Sequence, residues 1–152
     1  MKLWERVIEH RLRRMTRITM SQFGFMLGMS TMEAIFLLRQ VMERYREQKD
    51  LHMVFIDLEK AYDKIPRNLM WWWDLDKHKV PTKYVGLIKD MYNNVVTSVR
   101  TNDGDTDVFP IKIGLHQGSA LSPYLFTLVI DKITRDIQED IPLCMLFRTM
   151  WC

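Results

Sequence analysis

The stretch His52-Met-Val-Phe-Ile-Asp-Leu-Glu-Lys-Ala-Tyr-Asp-Lys-Ile65 decides how this chain is read, because an apolar run ends in an acid, Asp57, and an aromatic, Tyr62, follows. Leu51 to Leu58 is too short for a helix and predicts a strand buried on both faces at its centre. Burying Asp57 there would cost on the order of several kcal/mol unless it met a cation or strong donors. Magnesium answers that demand, since it takes oxygen ligands from one or two carboxylates together with substrate phosphates. A carboxylate at a strand end also serves simply as a surface cap for the next turn, and both readings stand on the pattern alone. Tyr62 has two readings as well: a flat ring one turn beyond the acid, able to lie against a sugar, or a core aromatic.

A second segment, Ile113-Gly-Leu-His-Gln-Gly-Ser-Ala-Leu-Ser-Pro-Tyr-Leu-Phe126, sets Gln117, Gly118 and Ser119 between a β-rich run and a helix start. Free N–H groups and the helix dipole favour an anion at such a place. Gly118 lets a ligand approach the backbone, and Gln117 can hydrogen-bond a base or sugar edge. The other reading is an ordinary turn capped by Ser119 or Ser122.

Working outward, Leu3, Trp4, Val7, Ile8, Leu12 and Met15 predict an amphipathic helix over residues 3–15, with its arginines and glutamates elsewhere on the wheel. Ser30 or Thr31 followed by Glu33 is a capping-box signature for a helix to about Gln48, with Ile35, Leu38, Val41, Met42 and Tyr45 as its stripe. Arg67 to His78 reads as helix with Leu69, Trp72, Trp73 and Leu75 inward, and Pro81 starts another to about Asn93. Val95–Thr101 and Asp107–Ile113 flank Asn102-Asp103-Gly104, the turn chemistry of a hairpin. Ser119 to Gln138 predicts a long helix with Pro123 in its first turn. The order gives an α/β or α+β layered domain, 1–152, with no repeat or linker.

Composition bounds the function classes. Residues 1–20 hold Lys2, Arg6, Arg11, Arg13, Arg14 and Arg17 against Glu5 and Glu9, a local charge of +4 within a net +3. Attraction for phosphates therefore concentrates at this end. Cys144 and Cys152 form no paired framework, as expected in a reducing compartment, and the four histidines lack zinc-ligand spacing. No apolar run approaches the ~20 residues that span a bilayer, and no secretory signal stands at the start, so no membrane role and an intracellular location, cytoplasm or nucleus, are expected. Asp103, Asp105 and Asp107 alternate as in a calcium loop, but Val108 and Gly114 stand where glycine and glutamate are required.

Taken together, the chain resembles the reverse transcriptase domain of non-LTR (LINE-type) retrotransposons, close to those of plant genomes, over about Leu3 to Phe147. Phe55-Ile-Asp-Leu-Glu-Lys-Ala-Tyr-Asp63 looks like the first palm motif of that family, and Gly114-Leu-His-Gln-Gly-Ser-Ala-Leu-Ser-Pro123 like the second. The resemblance implies a partial right-hand polymerase fold, with fingers-like helices over about 1–50, an incomplete palm over 51–147 and a non-homologous tail at 148–152. It implies Asp57 as a catalytic magnesium ligand, Leu58 as a carbonyl ligand to the same metal, Tyr62 as the gate at the sugar 2′-position, and Gln117 with Gly118 as the nucleotide pocket. The implied partners are an RNA template, a DNA primer and deoxynucleoside triphosphates.

The departures from the family pattern carry their own expectations. The family places Ala-Asp-Asp after the segment that here reads Cys144-Met-Leu-Phe147, whereas this chain continues Arg148-Thr-Met-Trp-Cys152. Leu27 and Met29 replace the usual proline and arginine, and methionine has neither the charge nor the fork of arginine. Two-metal phosphoryl transfer needs more than one carboxylate, so weak or absent Mg2+ binding and no polymerase activity are expected of a truncated domain. The alternatives are a non-catalytic RNA-binding remnant acting through Arg11, Arg13 and Arg14, or a pseudogene product. Palm edges left unpaired would promote self-association.

Overall fold

The computed structural model describes residues 2–19, 23, 28–46, 52–69 and 80–135. The loop position Leu27, the tryptophans 71–73, Leu75 and the stretch 136–152, with its apolar piece at 143–147 and its tail, lie outside the described residues. The architecture is mixed α/β, consistent with a partial polymerase fold: helices α1 (Lys2–Met15), α2 (Thr31–Tyr45), α3 (Ala61–Lys64), α4 (Arg67–Leu69), α5 (Thr82–Tyr92) and α6 (Ser122–Thr134), and strands β1 (Val96–Thr97), β2 (Arg100–Thr101), β3 (Gly104–Asp105) and β4 (Phe109–Pro110). The chain divides into two compact units, residues 1–17 with 60–126 and residues 18–59 with 127–152.

In the first unit α1 buries Glu5, Ile8 and Leu12, which recur at the spacing of one helical face. Tyr84, Ile88 and Tyr92 of α5, together with Leu115, Leu121, Tyr124 and Leu125, complete this core. Thr16 and Tyr124 share a buried hydroxyl hydrogen bond. The expected stripe on α1 is corrected on both sides. Leu3, Trp4, Val7 and Met15 are exposed, while the charged Glu5 is turned inward.

The hairpin forms as two short antiparallel ladders, β1 with β4 and β2 with β3, in register Val96↔Pro110 and Arg100↔Asp105. Between them the Thr106 hydroxyl accepts from Val99 N–H at 3.0 Å, and the Thr106 N–H donates to Val99 O at 2.9 Å. At the tip, Gly104 takes φ +124°, which a side chain would disfavour. Asp103, Asp105 and Asp107 are solvent-exposed, with Asp105 paired to Arg100 at 3.4 Å.

In the second unit α2 opens with the full capping box: Ser30 Oγ accepts from Glu33 N–H, and Glu33 Oε2 accepts from Ser30 N–H at 2.9 Å. Ala34 is its buried residue, whereas Ile35 and Met42 of the expected stripe are exposed. Asp131, 1% exposed, accepts from the Thr19 N–H at 2.9 Å and faces Arg135 at 3.6 Å.

The strand expected at 51–58 is not formed over the described residues 52–58, and Val54, Phe55 and Ile56 are 84%, 82% and 79% exposed. An apolar run becomes a central strand only when neighbours pair with it on both edges, and no described segment pairs with this one. Asp57 is therefore exposed rather than buried.

Candidate functional site

The two motif segments meet in the first unit through their backbones. Gly114 N–H donates to Ile65 O at 2.8 Å, and Leu115 N–H donates to Tyr62 O at 2.9 Å. Gly114 adopts φ +79°, and a Cβ there would lie 2.7 Å from the Asp63 carbonyl oxygen. Both the conformation and the contact require glycine. Gln117 Nε2 then donates to Asp63 Oδ1 at 3.1 Å, and the Tyr62 ring stacks on Phe126 with centroids 4.9 Å apart. Tyr62, Gln117 and Gly118 are thus gathered around one loop.

Arg67 anchors that loop. Its Nε–H donates to Gly114 O at 2.9 Å, and its Nη1 donates to Tyr92 O at 3.0 Å and Ile111 O at 2.8 Å. The residue is only 8% exposed, and among the described residues its Nη2 has no acceptor. Burial lowers the guanidinium pKa, although a group of this kind stays charged. The Tyr92 ring lies 5.1 Å from the Arg67 guanidinium carbon and 4.2 Å from the His116 ring, nearly parallel to the latter. Tyr92 OH shares a 2.8 Å hydrogen bond with Ser122 Oγ, and burial pushes its phenol pKa up. Burial first, and the Arg67 charge second, hold His116 below the ordinary imidazole value, so it is neutral at neutral pH.

The start of α6 settles which reading of Ser119 holds. Ser119 Oγ accepts from the N–H groups of Leu121 and Ser122 at 3.2 and 3.3 Å, as a capping serine does. The Glu5 carboxylate, 5% exposed, accepts from Ser119 Oγ at 2.9 Å and from Ala120 N–H at 2.8 Å. The anion at this helix start is therefore supplied by the chain itself, and those donors are not open to a phosphate. What remains open is Gly118, at φ +76° with free space around a notional Cβ. It borders a cleft of about 670 Å³ whose lining includes Lys2, Arg67, Thr97, His116 and Gln117.

The remaining expected site residues belong to other segments of the chain. Asp57 and Leu58 belong to the second unit and are exposed. On α1, Arg11 Nη1 donates to Tyr84 OH at 3.0 Å, Arg13 pairs with Glu9 and lies 4.3 Å from the Tyr124 ring centre, and Arg14 is exposed. Sequence reasoning passed over Glu5, Arg67, Tyr92 and His116. Glu5 carried a usable signal, since it shares the i, i+3, i+7 stripe with Ile8 and Leu12.

A reverse transcriptase (RNA-dependent DNA polymerase) family profile matches residues 1–148. The chain belongs to the reverse transcriptase family. It is 31% identical over 136 residues to a Drosophila melanogaster protein named "Probable RNA-directed DNA polymerase from transposon BS", covering 84% of the chain and 14% of that protein. It is 31% identical over 120 residues to a "Retrovirus-related Pol polyprotein from type-1 retrotransposable element R2" of Bradysia coprophila, covering 77% and 13%. A third relative, "Probable RNA-directed DNA polymerase from transposon X-element" of Drosophila melanogaster, is 28% identical over 111 residues. The chain thus spans about a seventh of the length of the curated relatives it matches.

Polymerases of this family use divalent metal. Among the described residues no three His, Cys, Asp or Glu side chains cluster as a metal-binding group. An exposed carboxylate at Asp57 is a poor cage for a hard dication, which is held by several oxygens. The described donors do not make up such a site. No helix among the described residues is long and apolar enough to cross a membrane.

Proposed function

We propose that this chain is a fingers-and-palm piece of a retroelement RNA-directed DNA polymerase that shapes a nucleotide pocket but does not polymerise by itself. Residues about 1–50 correspond to fingers and 51–147 to an incomplete palm. Within it Gln117 and Gly118 border the incoming nucleotide and Tyr62 screens its sugar, while Asp57 and the Leu58 carbonyl stand at the magnesium-ligand positions of the first motif without making up a metal site by themselves. One observation carries the reading: the hydrogen bonds from the Gly114–Leu115 backbone to Ile65 and Tyr62 place the two motif segments side by side. The inactivity rests on the acids, because the 152 residues contain no adjacent pair of aspartates and two-metal transfer needs carboxylates beyond Asp57.

Primer extension on an RNA template with magnesium or manganese tests the proposal. The chain is expected to add no template-directed nucleotide. Template-dependent product that vanishes in Asp57→Ala would overturn the inactivity.

A second reading, nucleic-acid binding without chemistry through the helix of Arg11, Arg13 and Arg14, is favoured by the charge of α1. Either role places the protein inside the cell, in cytoplasm or nucleus. Self-association through the apolar Val54–Leu58 run accompanies both.

A further inference from the structure

Two exposed surfaces of the first unit carry opposite charge and bare apolar side chains. On the wheel of α1, at ~100° per residue, Arg6, His10, Leu3, Arg14 and Val7 fall in that order within one arc of about 100°. All five are exposed, and among the described residues neither Arg6 nor Arg14 makes an ion pair. The acids of the helix lie off this arc: Glu5 is buried against Ser119 and Ala120, and Glu9 is paired with Arg13. The second surface is the hairpin, which is exposed at every residue from 98 to 110. Its tip carries Asp103, Asp105 and Asp107, of which only Asp105 is paired, to Arg100. Val99, Val108 and Phe109 are exposed beside them.

We infer that this arc of α1 receives the hairpin tip of a second copy of the chain, with Arg6 and Arg14 pairing with Asp103 and Asp107 and Leu3 and Val7 covering the valines beside the tip. The spacings agree. Arg6 and Arg14 stand about 12 Å apart at ~1.5 Å per residue, and Asp103 and Asp107, four residues apart on a ribbon rising ~3.3 Å per residue, at most about 13 Å. Arginine suits the pairing, since its fork meets a carboxylate with two parallel donors. A two-stranded hairpin is only marginally stable by itself in water, so the exposed tip gains from cover. The charges select the occupant. A polyanion would match α1 and leave Asp103 and Asp107 unmatched, whereas a second copy carries both surfaces by construction. Two copies related by a twofold axis make the contact twice, tip on helix and helix on tip. This surface is separate in sequence from the Val54–Leu58 run, and nothing in the inference depends on the polymerase reading.

Sedimentation velocity on the full chain across a concentration series tests the contact, in a Phe55→Lys background that silences the apolar run. The parent is expected to dimerise at low salt and to dissociate as salt is raised, as exposed charge pairs do. Arg6→Glu/Arg14→Glu and, separately, Asp103→Lys/Asp107→Lys should each weaken the dimer at least about tenfold, because like charges then face each other. An equal mixture of the two variants should dimerise as the parent does, since the native tip of one meets the native helix of the other. Should the glutamates lower the melting temperature, Arg6→Gln/Arg14→Gln takes their place in the mixture. Dimers unmoved by either substitution, or a mixture no stronger than its parts, would overturn the contact. So would a parent that stays monomeric throughout, whether or not its α1 then binds a single-stranded RNA. No nucleotide enters this assay, so its failure leaves the polymerase reading to stand or fall by primer extension.

Discussion

The Nε–H of Arg67 donates to the carbonyl of Gly114 at 2.9 Å, and this bond ties the short helical turn after the first motif to the first residue of the second. The same side chain also satisfies Tyr92 O and Ile111 O. Arg67 is thus a buried cation held by main-chain dipoles. Arg67→Met keeps only the unbranched stem and leaves three buried or part-buried carbonyls without their donor, each worth about 1–3 kcal/mol. A loss of about 3 kcal/mol or more in urea unfolding followed by circular dichroism is expected. Arg67→Lys, with one point donor in place of a fork, should fall between.

Gly114 and Gly118 share a left-handed backbone but differ in surroundings. Gly118→Ala meets open space and should cost only the conformational penalty, about 1–2 kcal/mol. Gly114→Ala adds a backbone clash with Asp63 at 2.7 Å and should cost clearly more, about 3 kcal/mol or above. Similar unfolding midpoints for the two variants would contradict the close approach.

His116 gives the loop a pH dependence of definite sign. Its folded pKa lies below the ordinary imidazole value of about 6.5, so the unfolded chain binds more protons. Its contribution to stability is complete above about pH 6.5 and is lost as pH falls through the depressed folded value. Protonation would place a second cation near Arg67, opposed only in smaller part by the Glu5 charge. Unfolding midpoints measured from pH 7.5 down to 5 should decline more steeply in wild type than in His116→Phe, which keeps a ring against Tyr92. Parallel curves would remove His116 from the linkage.

What the sequence disclosed follows the range of the interactions involved. The capping box of Ser30 and Glu33, the turn around Gly104 and helix α5 depend on neighbours within a few residues, and all are formed. Both motif segments were legible, and so was the serine-cap alternative for Ser119. Arg67, Tyr92 and His116 were not, because three residues far apart in sequence meet only when the loop, α5 and the ladders pack. Glu5 was read as a solvent charge because its acceptor role depends on Ser119 and Ala120, over a hundred positions away. The expected Leu51–Leu58 strand is not formed over its described residues 52–58 for a related reason, since composition states what a strand needs and not whether neighbours supply it.

Glu5 yields a prediction of its own. Glu5→Ala removes the acceptor for Ser119 Oγ and Ala120 N–H together, a lost cap at a buried site, and should cost about 1–2 kcal/mol. Glu5→Gln keeps one carbonyl acceptor and should recover part of it. If a phosphate competes with this carboxylate for the start of α6, pyrophosphate should stabilise Glu5→Ala against heat and leave wild type unmoved. Equal shifts in both would mean that the anion binds elsewhere.

The exposed run Val54-Phe55-Ile56, followed by the 55%-exposed Leu58, leads to the last prediction. Four apolar side chains in water beside a segment of high β-propensity form a site for pairing with another chain. A charge at its centre should block that pairing, as gatekeeper charges do in natural strands. Size-exclusion chromatography with light scattering should show wild type shifting to larger species as concentration rises, and Phe55→Lys staying smaller at the same concentration. Because Phe55 is 82% exposed, the substitution removes little burial and should leave the unfolding midpoint nearly unchanged. A wild-type chain that stays monomeric across the series would mean that the run does not recruit a second copy.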